Sequence, residues 1–112
     1  MAITNTFGVI ETACPANTDE AALYLVPAAT EISAVLRVVI LEAVEHTFKV
    51  AHCKATGAAA ADEWLAYDVP WNGLKPAFEI SIHAKAGEEI RIESDEADKI
   101  TFHLSGQTKV TS

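Results

Sequence analysis

The sequence predicts an all-β fold, a single-domain antiparallel β-sandwich of about eight strands with either a jelly-roll or an immunoglobulin-like arrangement. Apolar and polar residues alternate with a period of two in several segments, as they do in strands that bury one face. Glycine, proline, asparagine and aspartate interrupt these segments at short intervals. A chain of 112 residues suits one hydrophobic core, so we assign residues 1–112 to one domain.

The N-terminal residues 1–20 support two interpretations. Thr4–Thr12 alternates and can form a strand, but its apolar content is low, and a linker with proline, asparagine and aspartate follows it. The segment is therefore either the first strand of its own sandwich or an arm that adds a strand to a neighbouring sheet. In the second case we expect an interface that includes Phe7, Val9 and Ile10.

A proline corner separates the next two apolar runs, Leu23–Val26 and Thr30–Ala43. Pro27 has no N–H to donate to a ladder, so strand pairing must stop there. We expect the chain to bend at this corner and continue in the other sheet. The second run is continuously apolar from Val38 to Leu41, which predicts burial on both faces near its middle.

The remaining strands alternate between core and solvent residues. They are predicted at His46–Cys53, Glu63–Val69, Phe78–Ala84, Glu89–Ser94 and Lys99–Gly106. The alanine-rich segment Ala55–Asp62 is too short for a stable helix, so we predict a loop with at most one helical turn. The predicted core consists of Leu36, Val38, Ile40, Phe48, Val50, Ile80, Ile82, Ile90, Ile92, Ile100, Phe102 and Leu104.

The charge balance argues against nucleic acid as a partner. The chain has 16 acidic residues against 8 lysines and arginines, a formal net charge of −8. Such a surface repels phosphate backbones and suits docking onto a basic protein surface. No apolar run approaches the roughly 20 residues that cross a bilayer, and the N-terminus lacks signal-peptide features. We therefore expect cytosolic synthesis and no membrane partner.

The nucleophilic residues show no catalytic or redox pattern. Cys14 and Cys53 belong to no CxxC or Cys/His cluster, so we expect two reduced thiols, with a disulfide as the alternative outside the cell. No serine lies in a nucleophile-elbow motif. The sequence therefore predicts a protein without enzymatic activity and without a cofactor.

The four histidines do not form a metal-binding motif. His46 and His52 share the parity of core residues but lie roughly 20 Å apart along a strand, too far to bind one ion unless a bulge intervenes. His83 and His103 share the parity of polar residues, so we expect them to face water. We therefore predict no metal site.

Three aromatic residues are candidates for binding. Trp64 and Tyr67 have opposite parity, so we expect one of them to join the core. Trp71 follows Pro70 and is predicted to lie in a turn. An exposed Trp71 could stack on a sugar ring or anchor a protein interface, whereas the alternative is a plug folded over the edge of the sandwich.

Four segments together resemble a family of small tailed-bacteriophage virion proteins that share a Leu-Tyr-x-Val-Pro-Ala corner. They are "LYLVPAAT" at Leu23–Thr30, "EWLAYDVP" at Glu63–Pro70, "AKAGEEIRI" at Ala84–Ile92 and "KITFHLSG" at Lys99–Gly106. Two features depart from the family pattern. Ala29 stands where the family usually has glycine, and the N-terminal residues match no part of it.

The resemblance implies a non-enzymatic β-sandwich protein located in the virion. Its first implied role is capsid decoration or cementing by binding to the major capsid protein. A tail, baseplate or fibre component that binds other tail proteins is the alternative. The alternative class of function is a carbohydrate- or receptor-binding module that uses Trp71. Because a sandwich leaves exposed strand edges, we also expect a homo-oligomer, either a trimer or a ring.

Overall fold

A computed structural model of the chain describes residues 2–112, which form eight β-strands and no helix. The all-β prediction is therefore confirmed. The strands are β1 (Ile3–Ala13), β2 (Ala21–Leu25), β3 (Thr30–Ile40), β4 (Glu45–Cys53), β5 (Trp64–Asn72), β6 (Phe78–Lys85), β7 (Glu89–Ser94) and β8 (Ile100–Thr111). Residues 2–112 contain no helix that could span a membrane.

The strands form two antiparallel four-stranded sheets that pack as a sandwich. Sheet A has the order β1-β8-β3-β6, and sheet B has the order β2-β7-β4-β5. This order is that of a jelly roll, in which two Greek keys wrap around one core. An immunoglobulin-like sandwich places its strands differently. Of the two arrangements left open by the sequence, the structure therefore has the jelly roll.

The core lies between the inner faces of the two sheets. Phe48 of sheet B meets Phe102 of sheet A edge to face, with 6.4 Å between ring centroids. Every residue of the predicted core is buried except Ile80, which is half-buried. Ile80 lies on β6, an edge strand of sheet A, so one side of its side chain remains accessible.

The proline corner crosses between the sheets as the sequence predicts. The chain leaves β2 in sheet B, turns at Pro27 and enters β3 in sheet A. Ala29 has a φ of 58°, a left-handed conformation that glycine adopts more readily than alanine. The N–H of Val26 donates to the carbonyl of Glu88 at 2.9 Å, and its carbonyl accepts from Gly87 at 3.0 Å. The corner is therefore bound to the turn between β6 and β7.

Strand β5 corrects the expectation for its aromatic residues. Its register with β4 shifts at two places, and Asp68 within it has a φ of 51°. The additional residues at these bulges change the parity of the side chains that follow. Trp64 and Tyr67 consequently contact each other edge to face at 5.3 Å, and neither belongs to the core. The prediction that one of them joins the core is wrong.

The segment between β4 and β5 is a loop without a helical turn, in agreement with the predicted loop. Its backbone N–H groups at Gly57 and Ala59 donate to the carboxylates of Glu89 and Glu20. Arg91 also binds both of these carboxylates, each at 2.6 Å. The loop thereby covers a charged layer on the outer face of sheet B, whose acidic groups are all paired.

The structure gives a direct test of the core. Changing Phe102 to Ala should lower the free energy of unfolding by about 3–5 kcal/mol, because a fully buried ring leaves a cavity behind. Phe7→Ala is the matched control, since the Phe7 side chain is 75% exposed and its loss should change stability by less than about 0.5 kcal/mol. Denaturant unfolding of both variants measures the difference, and equal losses would contradict the assigned faces.

Candidate functional site

Strand β1 is an edge strand of sheet A and, within residues 2–112, pairs with no strand other than β8. It is therefore part of the chain's own sandwich, the first of the two interpretations of the N-terminal segment. Phe7 and Val9 are 75% and 64% exposed. Val9 lies in one row with Ser105 and Val35, whereas the adjacent row through Ala34 points to the core. Phe7 and Val9 therefore stand on the outer face of sheet A.

Ile10 is separated from these two residues by a bulge. The register of β1 with β8 shifts between Val9 and Glu11, so Ile10 has no direct partner on β8. Its side chain is half-buried and packs against the core. Of the three N-terminal interface candidates, Phe7 and Val9 are available to a partner on the outer face, and Ile10 faces inward.

Trp71 lies within β5, not in the predicted turn. Its indole N–H donates to the carbonyl of Pro76 at 2.8 Å. Its ring packs edge to face on Phe78 at 5.4 Å and carries the Lys75 ammonium 4.8 Å from its centroid. Trp71 therefore covers the edge of the sandwich, which is the second of the two predicted roles. Its indole nitrogen is hydrogen-bonded, and its ring contacts Phe78 and Lys75.

A buried histidine and three carboxylates form a charged cluster at the start of β4. The ring of His46 is 5% exposed, and its Nε2 lies 2.5 Å from Glu42 while its Nδ1 lies 2.9 Å from Asp95. Glu96 lies 3.7 Å from the same Nδ1. Asp95 is fixed in turn by the backbone N–H of Thr47 at 2.9 Å. The loops after β3 and β7 thus converge on the start of β4.

The geometry of this cluster fits a doubly protonated imidazolium. A neutral ring has one N–H, whereas here both ring nitrogens face carboxylate oxygens. Burial by itself lowers the pKa of His46, but the hydrogen bonds to Glu42 and Asp95 outweigh it and raise the pKa above its usual value. The hydrogen bond with His46 lowers the pKa of Glu42 despite its partial desolvation.

The same cluster contains the one group of potential metal ligands among residues 2–112. Ligand atoms of Glu42, His46 and Glu96 lie within 4.8 Å of one another. A cation there would have to displace one of the two ring protons of the imidazolium, so a proton and a metal would compete for the same nitrogen. His52 takes no part, because its Nε2 contacts Glu88 at 2.8 Å beside the corner.

The other two histidines lie on the outer face of sheet A, as expected from their parity. His83 Nδ1 lies 3.1 Å from Ser33 Oγ, a pair of a base and a potential nucleophile. Within residues 2–112 no carboxylate binds the other ring nitrogen of His83, so the third group that orients the base of a triad is absent. The adjacent open groove, about 450 Å³ in volume, has a mixed lining in which Lys85 and Glu88 lie beside apolar residues such as Ile32.

Comparison with known proteins assigns the chain to no family. No protein-family model matches the chain. A search of curated proteins also finds no match. The function must therefore be argued from the chain itself.

The His46 cluster should give stability a defined pH dependence. The contribution of His46 is complete below its ordinary pKa of about 6.5 and is lost as pH rises through its raised folded pKa. The contribution of Glu42 is complete above its ordinary pKa of about 4.5 and is lost as pH falls through its lowered folded pKa. The Tm of wild type should therefore exceed that of His46→Gln by the largest amount between these two ordinary pKa values.

Thermal melts across this pH range measure the difference, with His83→Gln as the control for the change of residue type at an exposed position. The difference in Tm between wild type and His46→Gln should become smaller on both the acid and the alkaline side of this range. A gap that stays constant from about pH 4 to about pH 9 would show that the cluster does not titrate with folding.

Proposed function

We propose that the chain is a non-enzymatic structural protein of a tailed-bacteriophage virion, an accessory protein that decorates or cements the capsid by binding the major capsid protein. The observation that carries the proposal is the contact between two segments of the virion-protein pattern. Val26 of the corner exchanges backbone hydrogen bonds with Gly87 and Glu88 of the turn. Segments that are far apart in the sequence thus form one structural unit, as a family pattern based on the fold requires.

The local backbone also fits this pattern. The family usually has glycine where Ala29 stands, and Ala29 has a left-handed φ of 58°. Gly87 in the second segment has a φ of 88°, again in the region that favours glycine. The motif residues therefore meet conformational requirements of the corner and the turn, which is the role expected of a structural signature.

The exposed surface supports a role in binding other proteins. Phe7 and Val9 present apolar side chains on an outer face whose neighbours, such as Ser105 and Gln107, are small or polar. The net charge of −8 favours a partner with a basic surface. Many weak contacts of this kind, repeated by the symmetry of a particle, give strong attachment without a deep binding pocket.

A tail, baseplate or fibre component is the alternative location within the same class. Carbohydrate recognition through Trp71 gains no support from the geometry, because the indole N–H is bound to Pro76 and the ring packs on Phe78. Self-association forms part of the proposal, since repeated attachment to a symmetric particle often combines contacts to the shell with contacts between neighbouring copies.

Quantitative mass spectrometry of purified particles of the phage that encodes this chain tests the proposal. We expect the protein in the particles at a fixed copy number in the hundreds, as the symmetry of a head requires. A fixed number between a few and a few dozen would instead assign it to the tail. Absence from washed particles would contradict a virion role.

A binding assay provides the matched control. Recombinant protein added to particles that lack it should bind to saturation, whereas Phe102→Ala, which loses a fully buried core ring, should bind far less. Equal and non-saturating adsorption of both proteins would show that attachment does not depend on the folded surface.

A further inference from the structure

We propose that β1 is a self-association strand: two copies of this chain pair their β1 strands antiparallel about a two-fold axis. The pairing joins the four-stranded sheet A of one copy to the same sheet of the second copy, so that the two form one continuous sheet. The inference specifies the self-association included in the proposed function, but its observations concern the isolated chain and do not depend on a virion.

Along one side of β1 the backbone N–H and C=O groups bond to no other strand in the part of the chain that the structure describes. Ala2 and Ser112 exchange both N–H···O bonds, each at 2.8 Å. In an antiparallel ladder such pairs alternate with pairs that exchange none. The register therefore gives bonds to β8 for Thr4, Thr6 and Gly8. The residues whose N–H and C=O point to the open edge are Ile3, Asn5, Phe7 and Val9.

These edge-facing residues also carry the exposed apolar side chains of the strand. Ile3, Phe7 and Val9 are 54%, 75% and 64% exposed. Because alternate residues of a strand share a face, all three lie on the outer face of sheet A. An added strand would thus gain main-chain hydrogen bonds and apolar contacts from the same residues.

The other three sheet edges have features that oppose pairing. Edge strand β2 is five residues long with a shifted register. Edge strand β5 has two register shifts and contains Pro70. Edge strand β6 carries Glu79 and Lys85 at exposed positions. Bulges, proline, charge and short length are the usual means of blocking edge-to-edge association.

Strand β1 lacks most of this protection. It has 11 residues and contains no proline, lysine or arginine. Its single charged residue is Glu11, beyond the bulge near its C-terminal end. A strand of this length and composition at an open edge is a template for another strand.

A second copy of the chain is the occupant that this edge fits best. In an antiparallel pair centred on Thr6, Ile3 lies opposite Val9 of the second copy and Asn5 lies opposite Phe7. Each edge-facing residue then exchanges bonds with an edge-facing residue of the other chain.

Charge allows this pairing despite the acidic surface. Residues 3–10 contain no charged side chain. The two Glu11 carboxylates lie at opposite ends of the paired segment, so the contact does not bring like charges together. The contact is isologous and closes as a dimer, which differs from the trimer or ring expected from the sequence.

Sedimentation equilibrium of the isolated protein from micromolar to millimolar concentration tests the proposal. We expect a reversible approach to twice the 12.0 kDa chain mass. The double variant Phe7→Lys/Val9→Lys should weaken dimerisation at least about tenfold, because lysine on an edge strand opposes pairing. The control Leu41→Lys/Leu74→Lys makes the same change at two exposed apolar residues outside β1 and should dimerise like wild type.

A proline pair separates edge pairing from folding. Asn5→Pro removes an N–H that points to the open edge, so it should abolish the dimer with little change in the Tm of the monomer. Thr6→Pro removes an N–H that binds β8 and should lower the Tm instead. A wild-type monomer at every concentration, a trimer, or a dimer that both edge variants leave intact would overturn the proposal. None of these results would decide the proposed virion role, which mass spectrometry of purified particles tests separately.

Discussion

The structure depends on the pairing of β8 with two neighbouring strands at once. Its first half supplies the fully buried Ile100, Phe102 and Leu104 to the core. Its second half adds no residue to the core and instead binds β1 on one side and β3 on the other. A Cβ at Gly106 would clash with the backbone carbonyl oxygen of Ser33, so this close approach requires glycine. Strand β8 thereby fixes which side of β1 remains open.

The alternating pattern predicted the strands and their inward faces because burial on one side of a sheet imposes a period of two. The alternating pattern could not predict the bulges in β5, because the residues around Trp64 and Tyr67 do not show where a ladder contains an additional residue. It also ended the last strand at Gly106, whereas β8 continues to Thr111. The glycine predicts a strand end at this position, but Gly106 lies opposite Gly8 within a continuous ladder.

The same reasoning explains what could be anticipated of the candidate site. Parity placed Phe7 and Val9 together and His46 inside, as the structure shows. The acidic partners of His46 come from loops after two different strands, and Asp95 is 49 residues away in the sequence. Only the jelly-roll topology brings those loops together. The proposed resemblance to virion proteins draws on four segments of the sequence, and the topology brings two of them, the corner and the turn, into contact through Val26 and Gly87.

In the described residues 2–112, β1 is bound to β8 on one side and open on the other. Residue-resolved amide hydrogen exchange of the wild-type protein at low concentration measures this directly. The amides of Thr4, Thr6 and Gly8 should be protected, and those of Asn5, Phe7 and Val9 should exchange rapidly and gain protection as concentration rises. Rapid exchange of all six amides at every concentration would contradict the account, because it would show a detached arm in place of an edge strand.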